Sequence, residues 1–236
     1  MAADYLGIEA KMDSSATQVI SFFTAFRLSD MWYLAQAALN TLVISILAIG
    51  VGSFLGIIFG WVLAELNRHL AVLLNIVLDI FRSVPLIIQL ILFYNFFPII
   101  GLPLKPFTAG TIVLIVYTSS LVAQVARSGI DATPIPTRRA GRSLGMTYFQ
   151  DLRYLVFPIG LRAMLPAWTG VALGVLKDSA LVSVLGYVEL LRASQILVTR
   201  TQEPFIILTI VGAFYFMLSY PIARITDRVE RKWQND

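Results

Sequence analysis

Three properties of the sequence predict an all-α membrane protein with five transmembrane helices, its amino terminus outside and its carboxyl terminus in the cytoplasm. The first is composition. Of the 236 residues, 58% are apolar and 14% charged, with a mean hydropathy of +0.78, against about a quarter charged in an ordinary soluble domain. The second is five stretches almost free of charge, each long enough for one bilayer crossing. The third is the placement of basic residues. Arg68, then Arg127, Arg138, Arg139, Arg142, Arg153 and Arg162, then Arg224, Arg228, Arg231 and Lys232 fall in one set of alternate loops. Lys11, Arg27, Lys105, Arg192 and Arg200 fall in the other. The richer set is cytoplasmic by the positive-inside rule. This composition sets aside the soluble enzyme classes. Without cysteine there is no disulfide, thiolate metal site or cysteine nucleophile, and a single histidine, His69, excludes a multi-histidine cluster; no metal site is expected.

Residues 1–30 read as an extracytoplasmic amino-terminal segment. They lack the basic start and short apolar core of a cleavable signal peptide, and the first helix serves as its own insertion signal. Val19, Ile20, Phe22, Phe23 and Phe26 recur at helical spacing and suggest a short helix in the outer interface. The apolar, membrane-embedded body spans 31–224, with a cytoplasmic segment at 131–158 and a tail at 225–236. Between Asp30 and Glu65 lie 34 uncharged residues. That is roughly 50 Å of helix, too long for one perpendicular crossing and too short for two. One long tilted helix follows. Within it Gly50, Gly52, Ser53, Gly56 and Gly60 permit close helix packing, and Glu65 with Arg68 reads as a surface pair. The apolar run from His69 to Ile80 is expected along the cytoplasmic edge. Pro85 removes a backbone donor and disfavours helix at Val84, so the second crossing begins there. The remaining crossings lie between Lys105 and Arg127, Arg162 and Glu189, and Glu203 and Arg224.

The segment from Arg127 to Pro166 is too long and too patterned for a connector. Pro134 and Pro136 start one short helix and Gly145 ends it. Thr147 with Gln150 makes a capping box for a second, which Pro158 stops or kinks. Tyr148, Phe149, Leu152, Leu155 and Val156 give that helix an apolar stripe, rimmed by Arg138, Arg139, Arg142 and Arg153. Such an elbow suits a groove on another protein or an anionic lipid surface.

The run Ala140, Gly141, Gly145, then Leu155-Val156-Phe157-Pro158, resembles the EAA motif of the integral permease subunits of bacterial ABC importers. Phe81-Arg82-Ser83-Val84-Pro85-Leu86, Gln89-Leu90, Arg127-Ser128-Gly129-Ile130, Leu144-Gly145-Met146, the run from Leu176 to Gly186, and Glu189-Leu190-Leu191-Arg192 resemble the polar amino acid branch. That branch imports histidine, glutamate, glutamine, arginine or opines. The resemblance implies a five-helix subunit of the bacterial inner membrane that works by alternating access. It implies a dimer, a cytoplasmic ATP-binding subunit docked on the elbow, and an extracytoplasmic solute-binding protein. Arg139, Ala140, Gly141, Leu144, Gly145, Met146, Phe149 and Leu152 become the expected ATPase-coupling residues. No residue is catalytic and no cofactor is expected on this chain, ATP and Mg belonging to the partner; no Gly-x-x-x-x-Gly-Lys-Ser/Thr loop is present.

Two departures stand out. Arg139 occupies the position of the motif's opening acid, with Gly141 at its second alanine, and Gln124 stands where a Glu is common. Both changes remove negative charge, and suggest a heterodimer whose other permease keeps the acids. Polar groups within the spans, Gln89, Asn95, Ser119, Ser120, Gln124, Lys177 and Asp178, are candidates for the substrate path. The plainer alternative is helix-to-helix bonding, and for Lys177 and Asp178 an internal ion pair. Lipid is a partner and nucleic acid is not. The rival functions are import of another small solute, and an uncoupled channel or scaffold.

Overall fold

The computed structural model describes residues 26–65 and 67–235. The expected interfacial segment at Val19, Ile20, Phe22 and Phe23 lies outside them. Helix α1, Leu28–Glu65, is unbroken over 38 residues, as the uncharged run requires. Helix α2, Arg68–Ser83, buries only Leu78, and that residue packs with Leu63 of α1. Helix α3, Leu86–Ile99, leaves α2 at a bend of 101° across Val84-Pro85. Its 14 residues cover roughly 21 Å, less than the hydrocarbon core, and α3 is long and apolar enough for a crossing only when counted together with α2. Helix α4, Pro106–Asp131, returns to the cytoplasmic side.

Helix α5, Ile135–Ser143, and α6, Tyr148–Asp151, form the cytoplasmic elbow. Of the two outcomes expected at Pro158, the stop does not occur: Leu152–Val156 widens into one π turn, with the Phe157 amide bonded to the Leu152 carbonyl, and α7 runs on over Phe157–Asp178. The wider turn accommodates a residue that has no donor and whose ring crowds the preceding turn. A 3-10 segment, Ser179–Leu185, follows. Helix α8, Leu190–Thr201, is an element the sequence reading did not assign. Helix α9, Pro204–Asn235, continues through Arg224 into the tail without a break.

The core lies where α1 meets α4. A Cβ on Gly56 would stand 2.6 Å from Val122 Cβ and 2.9 Å from the Ser119 carbonyl oxygen, and Gly52 and Gly60 face Thr118 and Ala126 equally closely. Only a residue without a side chain lets the two backbones approach so far. Ile44, Leu90, Leu114, Val175 and Val182 fill the layer beside this crossing. A second apolar cluster, around Leu34, Leu190, Leu197 and Ile207, packs α8 across the outer ends of α1 and α9.

Candidate functional site: a cytoplasmic hairpin held to the first helix

The elbow is built by local chemistry. Gly145, at φ +88°, lets the chain reverse after α5, while the Met146 amide bonds back to the Gly141 carbonyl at 3.1 Å and the Gly145 amide to the Arg142 carbonyl at 3.0 Å. These are the two bonds of a left-handed glycine C-cap. The Thr147 hydroxyl then accepts from the Gln150 amide at 3.4 Å and the Gln150 side chain accepts from the Thr147 amide at 2.8 Å, the predicted capping box. Gly141 is buried. A Cβ there would lie 2.8 Å from Leu155 Cδ1 and 2.9 Å from Met146 Sδ, so an alanine at this position of the motif would have to displace the ends of those two flexible side chains.

The expected coupling residues separate into a face and its support. Leu144 is 87% exposed and Phe149 79% exposed, with Arg139, Ala140 and Gly145 also exposed and Arg142 and Arg153 beside them. Gly141 is buried beneath them, and Met146 and Leu152 are half-buried. Leu152 lines a cleft of about 240 Å³ together with Ile57, Trp61, Ala126 and Val156. The stripe is therefore split: Phe149 faces solvent while Val156 faces the bundle.

Arg138 does not sit on the rim. Its Nη1 donates to Glu65 Oε1 of α1 at 2.7 Å and its Nε to Asp151 Oδ2 at 2.9 Å, with Arg142 Nη2 3.4 Å from the same carboxylate oxygen. The Asp151 side chain is fully buried, and those of Arg138 and Glu65 are mostly so. The bond to Glu65, followed by that to Asp151, raises the Arg138 pKa above its ordinary value against the cost of burial, so the guanidinium is held charged. One turn earlier on α1, Trp61 Nε1 donates to the Tyr148 hydroxyl at 2.9 Å. The expected Glu65–Arg68 surface pair is thus replaced by a link to a residue 73 positions away. A spacing argument sees only i,i+3 neighbours, and nothing local marks this partner.

The candidate path residues lie apart. Gln89 Nε2 donates to the carbonyls of Phe81 and Val84 at 2.7 Å, tying the α2–α3 break, while its Oε1 has no partner among the described residues. The residue borders an apolar cavity of about 470 Å³ lined by Phe81, Val84, Phe93 and Val113. Asn95 donates to the Ile91 carbonyl one turn back. Ser119 and Ser120 bond back to Val116 and Tyr117 at 2.7 Å, within α4. The Gln124 amide lies 2.8 Å from Asn75 and 3.0 Å from the Arg82 guanidinium, which also pairs with Asp79. Gln124 therefore faces a polar cluster on α2, away from the elbow. Lys177 is exposed and Asp178 half-buried at the outer end of α7, and among the described residues neither makes an ion pair within 4.0 Å.

At the opposite end, Glu189 caps α8, accepting from the Leu191 and Arg192 amides at 2.8 and 2.7 Å and from the Tyr215 hydroxyl at 3.1 Å. The Leu190 amide donates to Thr41 of α1 at 3.0 Å, and Arg200 pairs with the buried Asp30. Glu189 followed by Leu190, Ala193, Ser194 and Leu197 was the signal for this helix, a carboxylate cap before residues at three- and four-residue spacing.

The sequence profile of the family described as the inner membrane component of binding-protein-dependent transport systems matches residues 52–235. A putative glutamine transport system permease protein GlnP of Rickettsia conorii is 29% identical over 203 residues, covering 86% of this chain and 93% of that protein. The glutamine transport system permease protein GlnP of Escherichia coli K12 is 26% identical over 204 residues, covering 84% and 92%. A crystal structure of an amino acid ABC transporter with histidines superposes with a TM-score of 0.76 at 28% identity, over 88% of this chain and 99% of that one. An inward-facing MetNI methionine ABC transporter superposes with a TM-score of 0.77 at 22% identity over the same shares, a likeness of fold.

Proposed function

This chain belongs to the family of inner membrane components of binding-protein-dependent transport systems, and on that premise we propose that it moves a polar amino acid inward when a separate ATPase works its cytoplasmic hairpin. It is the membrane permease subunit of an ABC importer, with the type I permease fold, and hydrolysis falls to another subunit. The amino acid cargo rests on the relatives, whose names specify glutamine, and on a structural neighbour described as an amino acid transporter.

One observation carries the docking role: Leu144 and Phe149 stand out in solvent on a rigidly capped turn, ringed by Arg139, Arg142 and Arg153. Apolar side chains on a fixed cytoplasmic elbow gain from burial in a groove, and the arginines favour a groove bearing carboxylates. Ala140, Gly141, Gly145, Met146 and Leu152 shape and support that face. ATP and Mg are held by the docked subunit. A binding protein delivers solute at the outer side, and Gln89, Asn95, Ser119, Gln124, Lys177 and Asp178 remain the proposed path residues. Because Gln124 turns to Arg82, Arg139 is the departure that bears on docking, and it supports a second permease that keeps the acid.

The test is ATP hydrolysis by the purified assembly in lipid, stimulated in turn by cognate binding proteins loaded with glutamine, histidine, arginine, methionine or a non-amino-acid solute. Stimulation confined to polar amino acids is the expected outcome. Stimulation by the other solute alone points to the first rival, and a permease that never co-purifies with an ATPase points to the uncoupled channel.

A further inference from the structure

We infer that Arg138 is a positioning residue that clamps the hairpin to α1, so that displacement of the hairpin is delivered to α1 and, through its glycine crossing, to α4. The inference rests on the docking of an ATPase at the hairpin.

The chain path alone does not explain how such a displacement reaches α1. The hairpin is joined covalently to α4 through the short link Ala132–Pro134, and to α7 through the π turn Leu152–Val156 followed by Pro158. The second junction is soft, since a π turn holds its carbonyls in longer loops and Pro158 contributes no donor. No covalent segment connects the hairpin to α1. What connects them is one face of α1: Trp61 bonds to Tyr148 on α6, and Glu65, one turn on, bonds to Arg138 on α5. The first helix thus grips both helices of the elbow. Above the grip, Gly60, Gly56 and Gly52 lock α1 against α4 at approaches a Cβ would violate. A displacement imposed at Arg138 therefore has a rigid route into the bundle, while the π turn lets α7 lag.

The electrostatics favour a specific joint over an incidental surface pair. Exposed pairs contribute little, but Arg138 is largely desolvated between two carboxylates, one fully buried, and removing a partner there leaves uncompensated charge. Arg142 also neutralises Asp151 from the outer side. The bond to Glu65 can accordingly be broken without stripping the hairpin of its own ion pair.

Glu65→Gln isolates the joint. In proteoliposomes containing the complete importer, this variant should keep its ATPase on purification and hydrolyse ATP to within about twofold, while solute moved per ATP falls about tenfold at an unchanged half-saturating solute concentration. The chain contains no cysteine, so Glu65→Cys with Arg138→Cys can be bridged by a short bis-maleimide. Bridging should restore solute moved per ATP, a rescue that replaces the charges by a mechanical link. Glu65→Gln moving as much solute per ATP as the unaltered chain overturns the inference, as does a bridged pair still uncoupled. Failure of the unaltered chain to retain an ATPase overturns the docking reading itself, and this inference with it.

Discussion

Gly145 shows how much one residue can decide. No atom lies within 4 Å of a Cβ built there, so the glycine is required by its φ of +88° and not by crowding. Gly145→Val should lower hairpin stability by about 1–3 kcal/mol and release the ATPase during purification, whereas Gly145→Asn, which visits the left-handed region more readily, should lose less. Thermal unfolding in detergent and the ATPase-to-permease ratio measure the two effects. At Gly56 the requirement is opposite in kind, since its φ is ordinary and the 2.6 Å approach to Val122 leaves no room. Leu152, expected as a docking contact, is half-buried and shared with a cleft against α1 and α4. Replacing it by Asp perturbs packing as well as docking, so Phe149→Asp is the cleaner probe of the face.

Among the elements, α8 ties the outer ends of the bundle together through a buried acid. Burial, the larger effect, raises the Glu189 carboxyl above its ordinary pKa, while bonds from the Leu191 and Arg192 amides and the Tyr215 hydroxyl pull it back. The folded chain then holds this proton more tightly than the unfolded one. Stability from this site is greatest near the ordinary carboxyl pKa and below, falls as pH rises through the raised value, and is level beyond it. Glu189→Gln should remove that slope. Thermal midpoints in detergent from about pH 4 to pH 8 compare the two chains. On the cytoplasmic side, the elbow carries a capped turn at its tip, after α5, and a π turn at one root, before α7.

In the whole molecule, polar links between residues far apart in sequence lie at both ends: Glu65 to Arg138 at the cytoplasmic end, and Asp30 to Arg200 and Thr41 to Leu190 at the outer end. Helix α1 takes part in all of them and in the glycine crossing between. The proposed heterodimer sets the composition of the complete assembly. Native mass measurement of the purified importer should find one copy of this chain beside a different permease. Two copies and no second permease would remove that proposal while leaving the fold and the docking face untouched.

Four long apolar helices and a bent pair beside them, the break at Pro85, the proline start and glycine stop of α5, and the Thr147–Gln150 box were all legible in the order of residues. Each follows from transfer into lipid or from bonds within four positions, and such terms depend on neighbours along the chain. The partner of Glu65, the bond from the Tyr215 hydroxyl to Glu189, the passage of the helix through Pro158, and the orientation of Gln124 toward Arg82 were decided by tertiary structure. Charges seek whichever opposite group packing brings within reach in a poorly solvated place. Which group that is depends on how α1, α4 and the hairpin cross in three dimensions, a geometry that no linear spacing encodes.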